Sequence, residues 1–498
     1  MTRGPATASA ENWSIEGNLC AEVHETHTGV VALIGDRAYK AKKPVATDFL
    51  DFSTTERREE ACRREVELNR RLAPQSYIGV GHFAGPDGGP GEPVVVMRRY
   101  ANSARLAALV SAGEPVVGHL DVIAQMLAQF HVGAVRGPAI DAEASAHAIS
   151  ARWQENLAEL KRYVGEVVPH EAVDEVARLA VQFIAGRADL FARRIADGRI
   201  VDGHGDLLSQ DIFCVPDGPV LLDCLEFDDR LRFVDGIDDA AFLAMDLEFL
   251  GRKDLGDLFL DEYSRRADDP APRSLRDFCI AYRAVVRAKV DCIRVAQGHP
   301  DAAADARRHV DIALQHLRSG TVRLIIIGGG PGTGKTTLAH ALAEQIGAHV
   351  ISTDDVRRDL VDTGVIAGQT GELEAGLYAP QNVAAVYDEV LVRARTILSG
   401  GCPVILDGTW RDAHQRARAR DLAADTHASL IEFVCSLPLP EATERIATRG
   451  PTTSDATAHI ASALHGQGDS PNAGYAIDTA RPLAHSLAEA ERICCLAI

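Results

Sequence analysis

The sequence predicts a multidomain α/β protein with two domains in series, residues 1–319 and residues 320–498. Three observations predict it. Short β-branched runs separated by turn residues fill the first hundred positions, and a helical pattern runs from about residue 120 to 317. Beyond Thr321 strand and helix patterns alternate, which argues for a parallel sheet covered on both faces, a three-layer arrangement. At 498 residues the chain exceeds one ordinary core.

Composition narrows the class. An apolar fraction of 46% with 25% charged residues is that of a globular chain in water. No run of eighteen apolar residues occurs and Met1 to Asn12 is polar, so neither a membrane span nor a signal segment is expected. Ten cysteines stand singly apart from Cys494-Cys495, with no Cys-x-x-Cys, which argues against structural disulfides and zinc and for a cytoplasmic location. Residues 320–498 hold 14 basic and 21 acidic side chains and the rest 38 and 50, giving −7 and −12. Neither half offers the basic face that phosphate neutralisation demands, so small molecules are expected as partners rather than nucleic acid. Nothing in the pattern speaks to oligomeric state.

In the first domain, Ala21 to Glu25, Val30 to Ile34 and Ala38 to Lys42 read as strands, separated by Thr26-His27-Thr28-Gly29 and Gly35-Asp36-Arg37 and stopped by Pro44. A helix from about Glu56 to Leu72 and a strand Val94 to Met97 follow. Helices are expected over Leu120 to Phe130, within Ala151 to Asp197, from the acids Asp235, Asp238 and Asp239 to Phe249, over Leu275 to Gln297 and over Ala302 to Leu317. Those three acids read as caps and loop braces. Gly320 reads as a C-cap and places the boundary.

Between the helical blocks lies His204-Gly205-Asp206-Leu207-Leu208-Ser209-Gln210-Asp211, and Val220-Leu221-Leu222 ends on Asp223. With the strands and helix before it, this region resembles the aminoglycoside phosphotransferase-like kinases, which implies a bilobal, protein-kinase-like fold. The resemblance implies Asp206 as the base taking a hydroxyl proton, Asp211 and Asp223 as Mg²⁺ ligands, Lys40 as the phosphate-holding lysine and Glu65 as its orienting partner. Lys42, two residues on along the strand, faces the same way and rivals Lys40. Two departures stand: Asp211 replaces the family's Asn, and only Gly29 marks the phosphate-covering loop. They leave open nucleotide binding without transfer, and a plain polar turn at His204 and Asp206 is the alternative.

The second domain opens with Val322 to Ile327, apolar at every position but Arg323 and suited to a strand buried on both faces. Gly329-Gly330-Pro331-Gly332-Thr333-Gly334-Lys335-Thr336 fits G-x-x-x-x-G-K-[ST], Thr337 continues the turn, and Leu338, Leu342 and Ile346 follow at helical spacing before Gly347. Glycines let backbone N–H groups face a phosphate, the helix start adds its dipole, Lys335 reaches the β- and γ-phosphates, and the Thr336 hydroxyl can ligate Mg²⁺. This predicts Mg·ATP binding.

Further strands are expected at His349 to Ser352, Pro403 to Leu406, Ser429 to Val434 and Arg492 to Leu496. The second ends in Thr353-Asp354-Asp355-Val356-Arg357. Asp354 suits a base and Arg357 a clamp for phosphate or carboxylate; a capping aspartate with a surface arginine is the alternative. The third ends in Asp407, where an acid orients the Mg²⁺ water shell, or is a plain strand end. Arg445 and Arg449 lie one turn apart, and Arg449 is the candidate that closes over the triphosphate. Gly364 to Pro380 reads as a segment covering the substrate. These features resemble the compact phosphate-loop kinases of the nucleoside- and gluconate-kinase type, and the strand ends those of polynucleotide 5′-kinase domains. The whole resembles a bacterial two-domain protein pairing the two kinase types. It implies an ATP-dependent phosphotransferase acting on hydroxyls of sugars, aminoglycosides or nucleosides, with a nucleotide-gated scaffold ATPase or a polynucleotide 5′-kinase as alternatives.

Overall fold

Alternation of β-branched residues with tight turns folds the N-terminal stretch into one antiparallel sheet. The computed structural model describes residues 22–25, 29–45, 51–84, 91–369, 375–448, 462 and 474–496. The chain divides into two units, residues 1–112 with 210–229, and residues 113–209 with 230–498.

In the first unit β1 (Glu22–Glu25), β2 (Gly29–Ile34), β3 (Arg37–Lys42), β4 (Tyr77–Phe83) and β5 (Glu92–Arg98) lie in the order β1-β2-β3-β5-β4. Gly35, at φ +59, closes the β2–β3 hairpin in a conformation that suits glycine. The helix Thr55–Asn69 starts where the Thr54 side chain accepts the Arg57 N–H, and it lays Cys62 and Val66 on Tyr77 and Val95. Strand β4 was not expected. Gly79 and Gly81 break its apolar alternation, and its register with β5 shifts between Tyr77 and Gly79. Of four short strands further on, β6 (Ile200–Asp202) pairs with β9 (Phe233–Asp235) in the second unit, and β7 (Ile212–Val215) with β8 (Gly218–Leu221) in the first.

The second unit begins with the helices that the periodicity predicts. Arg273–Ala296 buries Phe278, Ala281, Tyr282 and Val285, and Phe278 stacks on Phe183 with ring centroids 4.4 Å apart. Asp235 caps the helix Gly236–Phe249 by accepting the Ile237 N–H at 3.0 Å, as the capping reading has it. Its Glu248 and Asp277 of Arg273–Ala296 both hold His316, at 2.7 and 2.6 Å. Burial opposes the imidazolium, yet those two bonds and charges outweigh it and raise the His316 pKa to about 9. An unfolded histidine titrates near about 6.5. Stability of about 3 kcal/mol should therefore be fully present below about pH 6.5 and lost as pH rises through about 9. Urea unfolding across that range should show the fall in the parent chain and lose it in His316→Gln.

The C-terminal half of this unit is a parallel sheet in the order β11-β12-β10-β13-β14, from β10 (Arg323–Gly328), β11 (His349–Ser352), β12 (Val404–Asp407), β13 (Ser429–Ser436) and β14 (Tyr475–Asp478). Leu324 to Ile327 and Val404 to Leu406 are at most 1% exposed, as expected of strands covered on both faces. Arg492 to Leu496 corrects the expectation. It ends the helix Leu483–Leu496 rather than forming a strand, and β14 takes the outer sheet position. The physical reason is spacing. Ser486, Ala490, Ile493 and Cys494 recur at three to four residues and seat the helix in the core against Leu338 and Leu342.

Helices and sheet are joined inside this unit. Ser274 Oγ donates to Gly401 O at 2.6 Å and Arg187 Nη1 to Thr426 O at 3.0 Å, and a Cβ on Gly186 would stand 2.3 Å from that same Thr426 oxygen. Among the described residues no helix is long and apolar enough to cross a membrane.

Candidate functional site: a phosphate loop at the sheet's carboxyl edge

Leaving β10, the chain turns through glycines whose conformations no other residue would take without strain. Gly329, Gly332 and Gly334 have φ of +145°, +78° and +81°. A Cβ on Gly332 would stand 2.5 Å from Ala442 O, and one on Gly329 2.8 Å from Cys435 O. Thr333 Oγ1 donates to Gly330 O at 2.9 Å, and Thr479 Oγ1 donates to Thr333 O at 2.7 Å, which pins the loop to the end of β14. Gly334 is the N-cap of the helix Lys335–Ile346, so N–H groups at the helix start face the loop. Lys335 Nζ lies back across it, 3.5 Å from Gly330 O.

The third sheet strand to end here, β12, brings Asp407 to the loop, where Thr336 Oγ1 donates to its Oδ2 at 2.7 Å. Asp407 is 2% exposed and its Oδ1 has no hydrogen-bond partner. Burial pushes its carboxyl pKa up, against the Lys335 charge and the Thr336 bond. A buried carboxylate with one oxygen unmet, touching a hydroxyl and facing an ammonium, fits a hydrated divalent cation. Among the described residues no three His, Cys, Asp or Glu side chains gather as a metal site. Mg²⁺ suits such a place, since it binds through one or two protein oxygens, waters and phosphates.

Strand β11 ends beside β12, with Ser352 opposite Asp407 in the register. Ser352, not Asp354, caps the following helix by accepting the Asp354 N–H at 3.2 Å. The Asp354 carboxylate instead accepts from Arg357 Nη1 at 2.6 Å. Arg357 is buried under the Tyr378 ring, 4.4 Å from its centroid, so neither half of the alternative reading, a capping aspartate and a surface arginine, describes the pair. Arg449 lies outside the described residues, as do residues 370–374 of the expected covering segment. The arginine found at the loop is Arg445, whose Nη2 donates to Thr479 O at 2.9 Å.

In the first unit Glu65, fully buried, lies between two lysines. Lys40 pairs with its Oε1 at 3.0 Å and with Asp223; Lys42 pairs with its Oε2 at 2.6 Å and with Glu226. Burial works against the Lys40 ammonium, but the Asp223 and Glu65 charges outweigh it and hold its pKa well above the ordinary value. The rivals thus share one partner. Asp223 itself takes a positive φ of 65° and donates its N–H to the Tyr77 hydroxyl at 3.1 Å. Asp211 lies in the same unit, its carbonyl accepting the Leu222 N–H at 3.0 Å.

Asp206 belongs to the second unit, in a turn built around Asp239. The N–H groups of His204 and Gly205 donate to Asp239 at 2.7 and 2.8 Å, and His131 Nε2 lies 3.0 Å from it. Arg283 grips Asp238 at 2.9 and 3.0 Å and donates to Gly205 O at 3.2 Å. Asp238 and Asp239 are thus the loop braces the sequence suggests. Glu226, Thr479 and Trp410 were not anticipated. Only the position of Trp410, three residues past Asp407, carried a signal.

Loop, lysine, threonine and buried strand-end acid together define the C-terminal region as a P-loop, kinase-like domain. The family model described as an AAA domain matches residues 324–469. The chain is 58% identical over 472 residues to the uncharacterized protein Rv2004c of Mycobacterium tuberculosis, covering 95% of each. It belongs to the family of that mycobacterial protein. An adenylate kinase of Deinococcus deserti is 35% identical over 135 residues, which is 26% of this chain and 64% of that one. The crystal structure of a choline/ethanolamine kinase family protein from Mesorhizobium loti covers 60% of this chain and 93% of its own at 17% identity, with a TM-score of 0.37.

Proposed function

We propose that the protein is an ATP-dependent phosphotransferase acting on a hydroxyl of a small molecule, with Mg·ATP held at Gly329 to Thr337. A second nucleotide site, in the first unit, would use Lys40, Glu65, Asp211 and Asp223. The observation that carries the reading is the Thr336–Asp407 contact beside the loop, with Asp407 Oδ1 buried and unmet. None of the nine described cysteines is joined to another in a disulfide, which suits a reducing cytoplasm.

At the C-terminal site the loop N–H groups and Lys335 hold the β- and γ-phosphates, and Thr336 and Asp407 would hold Mg²⁺ with its waters. The cation, when bound, neutralises charge on the phosphate oxygens. Asp354 takes the proton of the acceptor hydroxyl. The acceptor oxygen bonds to the γ-phosphorus as the bond to the β–γ bridging oxygen breaks, leaving ADP. Arg357 fixes the Asp354 carboxylate through Nη1, and Arg445 steadies the loop through Thr479.

The test is Asp354→Asn in the full-length chain. It should bind nucleotide within about twofold of the parent while acceptor-dependent ADP formation falls about 10²- to 10⁴-fold, the range of a lost general base. Full turnover in the variant would remove Asp354 from the chemistry. Slow ADP release that no sugar, aminoglycoside or nucleoside accelerates would mean a nucleotide-gated scaffold instead.

A further inference from the structure

Trp410 is a strained residue of the C-terminal half. Its φ of 47° is a left-handed backbone, an outlier for so bulky a side chain. Neighbours impose it. Arg416 Nη1 donates to its carbonyl and to that of Arg411, both at 2.7 Å. The Tyr387 ring meets the indole edge-on with centroids 4.8 Å apart. The outcome is an indole 3% exposed whose Nε1 has no partner. The buried indole N–H is costly to leave unmet, and nothing among its described neighbours accepts it.

The unmet N–H has a definite place. A Cβ on Gly408 would lie 3.2 Å from Trp410 Nε1 and 2.9 Å from Thr353 Oγ1. Indole and hydroxyl therefore converge over the bare Cα of Gly408, between Asp407 on one strand end and Asp354 on the next. A second unmet donor lies in the same neighbourhood. Arg357 is 8% exposed, and with Nη1 engaged on Asp354 its buried Nε is unpartnered. Arg357 lies one helical turn beyond Thr353 on the same face of the helix Thr353–Asp362, beside the hydroxyl that meets the indole. Both groups are donors and one is cationic, so the complement they lack is an oxygen bearing negative charge.

Resting on the phosphotransferase reading above, we propose that Trp410 Nε1 and Arg357 Nε bind an oxyanion carried by the phosphoryl acceptor, a carboxylate, phosphate or sulfate group. The acceptor is then a hydroxylated oxyanion, not an aminoglycoside-type polycation. The anion anchors one end of the molecule while its hydroxyl faces Asp354. Trp410 acts in specificity and touches no reacting atom. Tyr378, laid over the guanidinium, swings aside for the anion to reach Nε.

The experiment is a calorimetric titration of the full-length chain with inorganic sulfate at constant ionic strength, after loading with Mg²⁺ and β,γ-imido-ATP so that the phosphate loop is filled. One saturable sulfate site is expected, weakened at least tenfold in Trp410→Phe, which stays aromatic and loses the N–H, and in Arg357→Gln. Thermal melts of both variants exclude misfolding as the cause. No saturable binding, or parent-like affinity in both variants, overturns the proposal. So does sulfate binding that Lys335→Ala abolishes and Trp410→Phe leaves intact, because the anion then occupies the phosphate loop. The loading step reports separately on the nucleotide reading: failure to load sinks that reading, and the same series on the nucleotide-free chain, with Lys335→Ala as control, still decides the anion site. With D-gluconate and D-glucitol as matched acceptors, equal ADP formation from both overturns the oxyanion while leaving the kinase standing.

Discussion

Lys335→Ala in the full-length chain is expected to lower Mg·ATP affinity at the C-terminal site by at least about a hundredfold. The Nζ lies across the loop 3.5 Å from Gly330 O and is the ammonium proposed to hold the phosphates. Hydrogen bonds to charged groups contribute about 1.5–3 kcal/mol each, and two phosphates lose one apiece, so about 3 kcal/mol is a lower bound. The glycines and the helix start remain, which leaves weak residual binding rather than an unfolded loop. Calorimetry on the whole chain is the proper measurement, because Ser274, Gly186 and Arg187 join the helical part to the sheet and a severed fragment would expose that seam. Adding Asp223→Asn silences the nucleotide contact proposed in the first unit. Parent-like affinity in the double variant would end the assignment of Gly329 to Thr337 as the nucleotide site.

Asp239→Ala should cost about 3–5 kcal/mol of stability, the penalty for breaking a buried charged network from one side. Its carboxylate receives the N–H groups of His204 and Gly205 and contacts His131, and the alanine would remove all three contacts. Burial alone would raise the Asp239 pKa, but the His131 bond and the His131 and His204 charges outweigh it and hold the carboxyl far below the usual range. The sign follows. An unfolded aspartate titrates near about 3.9, so this contribution is present above that pH and lost as pH falls toward the lower folded value. Urea midpoints of parent and variant should differ at pH 7 and converge in acid; coincident midpoints at pH 7 would show that the turn holds without Asp239. Asp239→Asn, which keeps one acceptor oxygen, should lose less.

Particular elements show why parts of this were legible. Leu324 to Ile327 and Val404 to Leu406 are contiguous apolar runs, and a strand buried on both faces announces itself that way. The first run leads into the glycine loop and the second ends on Asp407. Arg492 to Leu496 has the same local look but completes a helix, because so short an apolar run satisfies both periods and only its core partners choose. Lys40 and Lys42 could not be separated by alternation, which puts both on one face, and folding pairs both with Glu65. Ser352 takes the cap that Asp354 was weighed for. Thr479 went unseen because β14, which delivers it, was placed elsewhere along the chain.

What the sequence by itself determined is the phosphate loop. Its glycines, lysine and threonine are contiguous, and the glycines take backbone conformations that other residues adopt only under strain. The tertiary structure alone decided which acid meets Thr336, 71 residues away, and which carboxylates meet Lys40 and Lys42, 183 and 184 residues on. Only it, too, set Trp410 into a left-handed turn with an unmet N–H. Such contacts depend on where separate strand ends come to rest, and burial then makes each charge or donor costly to leave alone.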